Sequence, residues 1–188
     1  MIKAKIKNIK LELNSAPDLF SPDQIDKGTL AMLSIVDFSP KDKVLDLGCG
    51  YGVVGILVAK LIGSHNVVMS DILESAIRIS RKNAVLNNVG DITVVQSNGF
   101  ENINDKDFSI ILSNPPYHSD FSVPKHFIEK GFNRLQFGGK MYMVTKRKDW
   151  YKNKFISIFG GVMIKEIDDY YVFIAEKRSS KYANSIRT

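Results

Sequence analysis

The 188-residue chain carries 26 Lys and Arg against 20 Asp and Glu, a net charge of +6 that favours a polyanionic partner. Its 44% hydrophobic and 24% charged content is that of a folded globular domain, which excludes disordered and fibrous classes. No apolar stretch approaches the ~18 residues of a membrane-crossing helix, the N-terminus alternates Ile and Lys where a secretion signal would be apolar, and the single cysteine, Cys49, excludes an internal disulfide and fits a reducing cytosol.

In chain order, Ile2, Ala4 and Ile6 share one parity while Ile9, Leu11 and Leu13 take the other, so a bulge or turn is predicted near Lys7-Asn8. Residues 1–20 are read as an accessory hairpin or bent strand. Ser21-Pro22-Asp23-Gln24 has a capping-box pattern with proline at the first helical position, predicting a helix through Phe38. A strand over Lys43–Leu47 and a helix over Val53–Ile62 follow, then a strand over Asn66–Ser70 ending at Asp71. Leu73–Asn88 is amphipathic, with Ala76, Ile77, Ala84 and Val85 on its apolar side. Strands are predicted at Ile92–Val95, Phe108–Ser113 and Lys140–Thr145, and helices at Val123–Gln136 and Trp150–Phe159. Val162–Ile167 and Tyr170–Ala175 flank Asp168-Asp169 as a hairpin. The alternation predicts one α/β domain over 1–188: a Rossmann-like, mostly parallel sheet with helices on both faces, an antiparallel C-terminal hairpin, and a mobile basic tail at 177–188.

Two motifs carry chemistry. Val44-Leu45-Asp46-Leu47-Gly48-Cys49-Gly50-Tyr51-Gly52 takes a short apolar strand into glycines at alternate positions, where backbone can turn tightly and a ligand approach closely. Gly50, Gly52 and Gly55 also satisfy the dinucleotide fingerprint, with Asp71 about 20 residues on. An anionic pyrophosphate would be repelled by Asp46, whereas the cationic amine and sulfonium of S-adenosylmethionine would be attracted. The second motif, Asn114-Pro115-Pro116-Tyr117, sits where an apolar strand opens into a loop. Two prolines remove two backbone donors and leave a stiff corner of carbonyls and one amide. Such a corner suits an acceptor that grips an amino group; a rigid strand-exit turn is the structural alternative.

Together the glycine loop and this corner resemble class I S-adenosylmethionine-dependent methyltransferases, and more narrowly the small methyltransferase-domain family that includes the small-subunit ribosomal RNA guanine-N2 methyltransferases. The resemblance extends to Asp18-Leu19-Phe20-Ser21, Asp26-Lys27-Gly28-Thr29, Ser97-Asn98 and Phe159-Gly160. It implies a seven-stranded sheet and S-adenosylmethionine as cofactor. Gly48, Gly50 and Gly52 would line the methionyl moiety, Asp46 would offset its charge, and Asp71 would accept the ribose hydroxyls or cap the following helix. Ile72, Asn98, Gly99 and Asn114 complete the implied cofactor set. Asn98 departs from the family's usual aspartate near the adenine amine, an amide that can accept there but carries no charge. Phe100 packs near the base or belongs to the core. Asn114, Pro115, Pro116 and Tyr117 are the implied catalytic residues, with Tyr117 stacking on the base. The implied reaction is methyl transfer to an exocyclic amine of RNA, with guanine N2 of ribosomal RNA favoured over adenine N6 or protein glutamine.

Lys146, Arg147, Lys148, Lys152 and Lys154 cluster around Trp150 and Tyr151. They read either as phosphate and base contacts for RNA or as a solvated loop whose aromatics face the core. His65, His118 and His126 lack metal-ligand spacing, so no metal is expected, although His118 stands next to the corner. Cys49 reads as a small residue in a tight turn. The expected setting is the cytoplasm, without a membrane partner. An NAD-dependent oxidoreductase remains as an alternative through the literal glycine fingerprint alone.

Overall fold

A computed structural model describes residues 1–116 and 120–185. Strands β1 (Ile2–Ile6) and β2 (Ile9–Leu13) pair antiparallel around Lys7 and Asn8, which have φ of 47° and 66°. Two successive left-handed residues make the tight turn whose twist matches its strands. The turn accounts for the parity change: Ile2 stands opposite Leu13 and Ala4 opposite Leu11, so both apolar sets share one face. Through buried Leu11 and Leu13 that face joins the core.

The chain continues through α1 (Lys27–Ile35), β3 (Val44–Leu47), α2 (Val53–Ile62), β4 (Val67–Asp71), α3 (Glu74–Leu86), β5 (Thr93–Gln96) and β6 (Phe108–Ser113). Then come α4 (Ser122–Arg134), β7 (Leu135–Thr145), α5 (Asp149–Phe159), β8 (Met163–Ile167) and β9 (Tyr170–Glu176). The sheet order is β5-β4-β3-β6-β7-β9-β8, parallel except that β9 runs antiparallel to both β7 and β8. From β3 the chain winds to the β5 edge and then returns to β6 on the other side. The switch point therefore lies between β3 and β6, and ligands bind beyond the carboxyl ends of strands at such a point.

Period-two alternation divides the core between the two faces of this sheet. Val44 and Leu112 face the side covered by α1, α2, α3 and the β1–β2 hairpin, whereas Leu45 and Ile111 face α4 and α5. On the second side Phe108, Phe132, Phe155 and Phe173 are fully buried, each contributing roughly 1.5–3 kcal/mol by leaving water.

Three elements differ from the sequence reading. Helix α1 begins at Lys27, because Ser21, at φ 52°, donates its hydroxyl to the Gln24 carbonyl in a turn. Asp26 supplies the cap instead, accepting the Thr29 N–H at 2.9 Å. On α3, Val85 is 67% exposed while Ser80 and Asn83 are buried. The Asn83 amide accepts from Asn14 N and donates to the Asn14 and Tyr51 carbonyls, all at 2.8 Å. Asn87 holds Glu12 in the same way, accepting from its N–H at 3.1 Å and donating to its carbonyl at 2.7 Å. Finally, β7 starts at Leu135, with a register shift against β6 that accommodates the extra residues.

After β9, Lys177 bonds the β7 backbone at Gly138 and Gly139, and the turn at Ala183–Ser185 packs on α5. Tyr182 meets Phe132 edge-on and donates its hydroxyl to the Glu129 carbonyl at 2.9 Å. Arg187 of the basic tail lies outside the described residues.

Candidate active site

The loop leaving β3 is pinned at several backbone points. Gly48 and Cys49 both donate to the Ser70 carbonyl at 2.9 Å, and Gly50 donates to Asp71 Oδ2 at 2.9 Å. Gly48 and Gly50 have φ of 77° and 53° with open space where a Cβ would stand, so backbone conformation rather than crowding calls for glycine there. Gly55 is the opposite case: its Cβ would lie 2.2 Å from Met69 Cγ, and its absence lets α2 press onto β4.

Asp46 is buried and accepts the Gly55 N–H at 2.8 Å. Burial pushes its carboxyl up to about 7; the Gly55 bond pulls the other way and the nearby Asp71 adds to the rise. Asp71 accepts Gly50 N–H on one oxygen and Leu73 N–H on the other, at 2.9 and 3.0 Å, so it organises both the glycine loop and the start of α3. Cys49 is buried, and burial together with Asp46 and Asp71 raises its thiol well above the usual range, which keeps it un-ionised.

These groups line a cavity of about 340 Å³ beyond the carboxyl ends of β3, β4 and β6. Asp46, Gly48, Gly50, Asp71, Ile72, Asn98 and Gly99 meet Asn114, Pro115 and Pro116 there, so most of the sequence-derived site converges. Gly52 does not line the cavity. It is the residue before α2, with φ of 92°, and this left-handed backbone calls for glycine there. Asn98 is exposed and donates to Glu101 Oε1 at 3.0 Å. Ile72, 58% exposed, offers an apolar flank at the mouth. Phe100 is buried in the α4–α5 core and does not line the cavity. Tyr117 and His118 lie outside the described residues.

Sequence reasoning missed the cavity's third carboxylate. Asp26 and Thr29, at the start of α1, line the wall by Asn114, whose Nδ2 donates to Asp26 Oδ2 at 2.8 Å and to Thr29 Oγ1 at 2.9 Å. The only sequence signal was the Asp26-Lys27-Gly28-Thr29 segment itself, 85 to 88 residues from its partner. Among the described residues the lining holds Asp26, Asp46 and Asp71 and no Lys, Arg or His. Such a cavity selects a cation and disfavours a pyrophosphate.

Beside the corner, the residues after β7 carry an exposed row of cations. Lys146, Arg147 and Lys148 stand over the rings of Tyr170, Phe121 and Tyr171 at 4.9, 5.1 and 5.0 Å. The neighbouring aromatics are not presented for base stacking: Tyr151 is buried and Trp150 is stacked on Phe121 at 4.3 Å. Lys154 is paired with Glu129.

Residues 10–174 match the family described as methyltransferase small domain. The chain belongs to this family. Ribosomal RNA small subunit methyltransferase C of Psychromonas ingrahamii is 33% identical over 165 residues, covering 86% of this chain and 47% of that protein. YbxB of Bacillus subtilis is 27% identical over 92% of this chain and 89% of its own length. Among solved structures, the Thermus thermophilus 16S ribosomal RNA guanine-N2 methyltransferase RsmC, in complex with S-adenosylmethionine and guanosine, superposes with a TM-score of 0.84 at 25% identity. That match covers 94% of this chain and 50% of RsmC. The chain thus spans about half the length of the ribosomal RNA methyltransferases it matches.

Proposed function

We propose that this chain is an S-adenosylmethionine-dependent methyltransferase acting on the exocyclic amine of a base in RNA, with guanine N2 of ribosomal RNA as the substrate. The observation that carries the reading is the cavity with three carboxylates and no cation among its described lining, closed by Asn114-Pro115-Pro116. S-adenosylmethionine, when bound, supplies an activated methyl group on a sulfonium sulfur. The residues present fit it: Asp46 and Asp71 complement its positive charges, Gly48 and Gly50 give backbone access, and Ile72 flanks a planar base. The same carboxylates oppose a dinucleotide.

At the corner, the Asn114 side-chain oxygen and the Pro115 carbonyl accept the hydrogens of the incoming amine. These bonds favour a pyramidal nitrogen, whose lone pair is otherwise delocalised into the base. Catalysis of this kind rests on orientation and fixed dipoles rather than on a strong base. Tyr117 is assigned to stacking on the base. Lys146, Arg147 and Lys148 flank the corner and suit RNA phosphates. The guanine assignment draws on the relatives named for small-subunit ribosomal RNA and on the guanosine in the RsmC complex.

Methyl transfer from labelled S-adenosylmethionine to total RNA, DNA and protein, followed by nucleoside analysis, tests the reading. Label in N2-methylguanosine of ribosomal RNA is expected. Label in N6-methyladenine or methylglutamine would keep the reaction class and overturn the substrate. The Asn114→Ala variant should lose transfer while binding S-adenosylhomocysteine as the parent does.

A further inference from the structure

We infer that Asp26 and Thr29 are positioning residues that set which end of the Asn114 amide faces the substrate. The inference rests on the role proposed for Asn114. An asparagine side chain has two ends of nearly equal size and opposite polarity, and only the oxygen can accept a hydrogen from an amine. A flipped amide would present hydrogens to the substrate's hydrogens, so the corner works in one orientation only.

The start of α1 supplies that choice. A carboxylate accepts hydrogen bonds and donates none, so Asp26 Oδ2, 2.8 Å from Asn114, requires the nitrogen end. Thr29 Oγ1 takes a second bond from the same nitrogen at 2.9 Å, engaging both hydrogens on the α1 side. Rotation by 180° would bring the amide oxygen against the Asp26 carboxylate, oxygen to oxygen, and lose that bond; Thr29, whose hydroxyl can donate or accept, holds the amide in place while Asp26 decides its polarity.

Asp26 is itself held. It accepts the Thr29 N–H as the cap of α1 and lies 3.4 Å from the Tyr170 hydroxyl on β9. Gly28 allows this approach, since a Cβ there would stand 2.7 Å from the Tyr170 ring. One carboxylate thus starts a helix and orients an amide at the end of β6. This gives the Asp26-Lys27-Gly28-Thr29 segment a chemical purpose beyond capping.

The two roles separate by substitution. In Asp26→Ser the shorter side chain still caps the helix but cannot reach Asn114; Thr29→Val keeps the shape and removes the acceptor. The double variant should keep S-adenosylhomocysteine affinity within a few-fold, since Asp46 and Asp71 remain, and lose kcat by about 100-fold, the scale of a misaligned reacting group. In ¹⁵N-resolved spectra, the Asn114 side-chain NH₂ protons, assigned by their loss in Asn114→Ala, should exchange slowly in the parent and rapidly in the double variant. Parent-level kcat in the double variant overturns the inference. So does a kcat loss with unchanged Asn114 NH₂ signals, because the effect would then be structural. Should Asp26→Ser fail to fold, Thr29→Val alone is expected to lower kcat about tenfold, one hydrogen bond's worth, and unchanged kcat there decides against the inference. If Asn114→Ala remains active, it is the role of the corner that falls; if only the double variant does, the role of Asp26 and Thr29 falls.

Discussion

Replacing Asp46 with Asn should stabilise the ligand-free protein above neutral pH while weakening cofactor binding. Burial pushes the Asp46 carboxyl from its ordinary 3.8 to about 7. In the unfolded chain it ionises near its ordinary value, so between these two points the folded state holds a proton that the unfolded state has released. Folding stability from this group is therefore fully present below 3.8, declines as pH rises, and is lost once pH passes about 7. The full difference is worth about 4 kcal/mol at pH 8 and under about 2 kcal/mol at pH 5. Asparagine carries no such penalty, and its amide oxygen can still accept the Gly55 N–H, although without a charge on the acceptor the gain falls by about 1 kcal/mol. The net expectation at pH 8 is a gain of roughly 3 kcal/mol, or about 6–12 °C in Tm for a chain of this size. Urea unfolding of parent and variant across pH 4.5–8 measures it, and differencing the two cancels the titrations that are not coupled to Asp46. An advantage for the variant that is equal at pH 5 and pH 8, or a parent that is the more stable at pH 8, would refute the reasoning. The same carboxyl makes a binding prediction: affinity for S-adenosylmethionine should rise with pH through about 7 in the parent and stay flat in Asp46→Asn.

Removing the cations beside the corner by Lys146→Ala, Arg147→Ala and Lys148→Ala should weaken RNA binding and reduce its salt slope by about one for each phosphate no longer neutralised, with cofactor affinity unchanged. An unaltered slope would assign these residues to solvent. Gly55→Ala should destabilise by about 1–3 kcal/mol through the clash with Met69, read from chemical denaturation. Asn83→Leu should cost about 3 kcal/mol or more, since it strips partners from the Asn14 N–H and from the Asn14 and Tyr51 carbonyls. A neutral effect there would mean that water replaces all three.

The strands and helix that build the cavity were legible because their apolar runs end in unmistakable turn residues. Val53–Ile62 and Phe108–Ser113 were read to the residue, and the glycine loop and Asn114 corner fell where strand exits were expected. Local patterns failed where distant partners decide. Ser21 reads as the cap, but Asp26 holds the position while also bonding Asn114, 88 residues away. Helix period placed Val85 on the apolar side, yet the buried stripe carries Ser80 and Asn83, because an asparagine amide can stand inside when backbone groups of other elements satisfy it. The dinucleotide fingerprint was a further ambiguity, and the third carboxylate that argues against a pyrophosphate came from outside the motif.

Asn83 of α3 and Asn87 at its C-terminal end have one more effect. A strand at the border of a sheet offers backbone donors and acceptors on which another molecule's strand can template itself. On β2, the N–H and carbonyl of Glu12 are taken by Asn87, and those of Asn14, just past the strand's end, by Asn83. Two side-chain amides thus imitate the next strand of the ladder and terminate it. The helix closes the hairpin's border against recruitment by neighbouring chains, a protection that a two-stranded ribbon could not provide for itself.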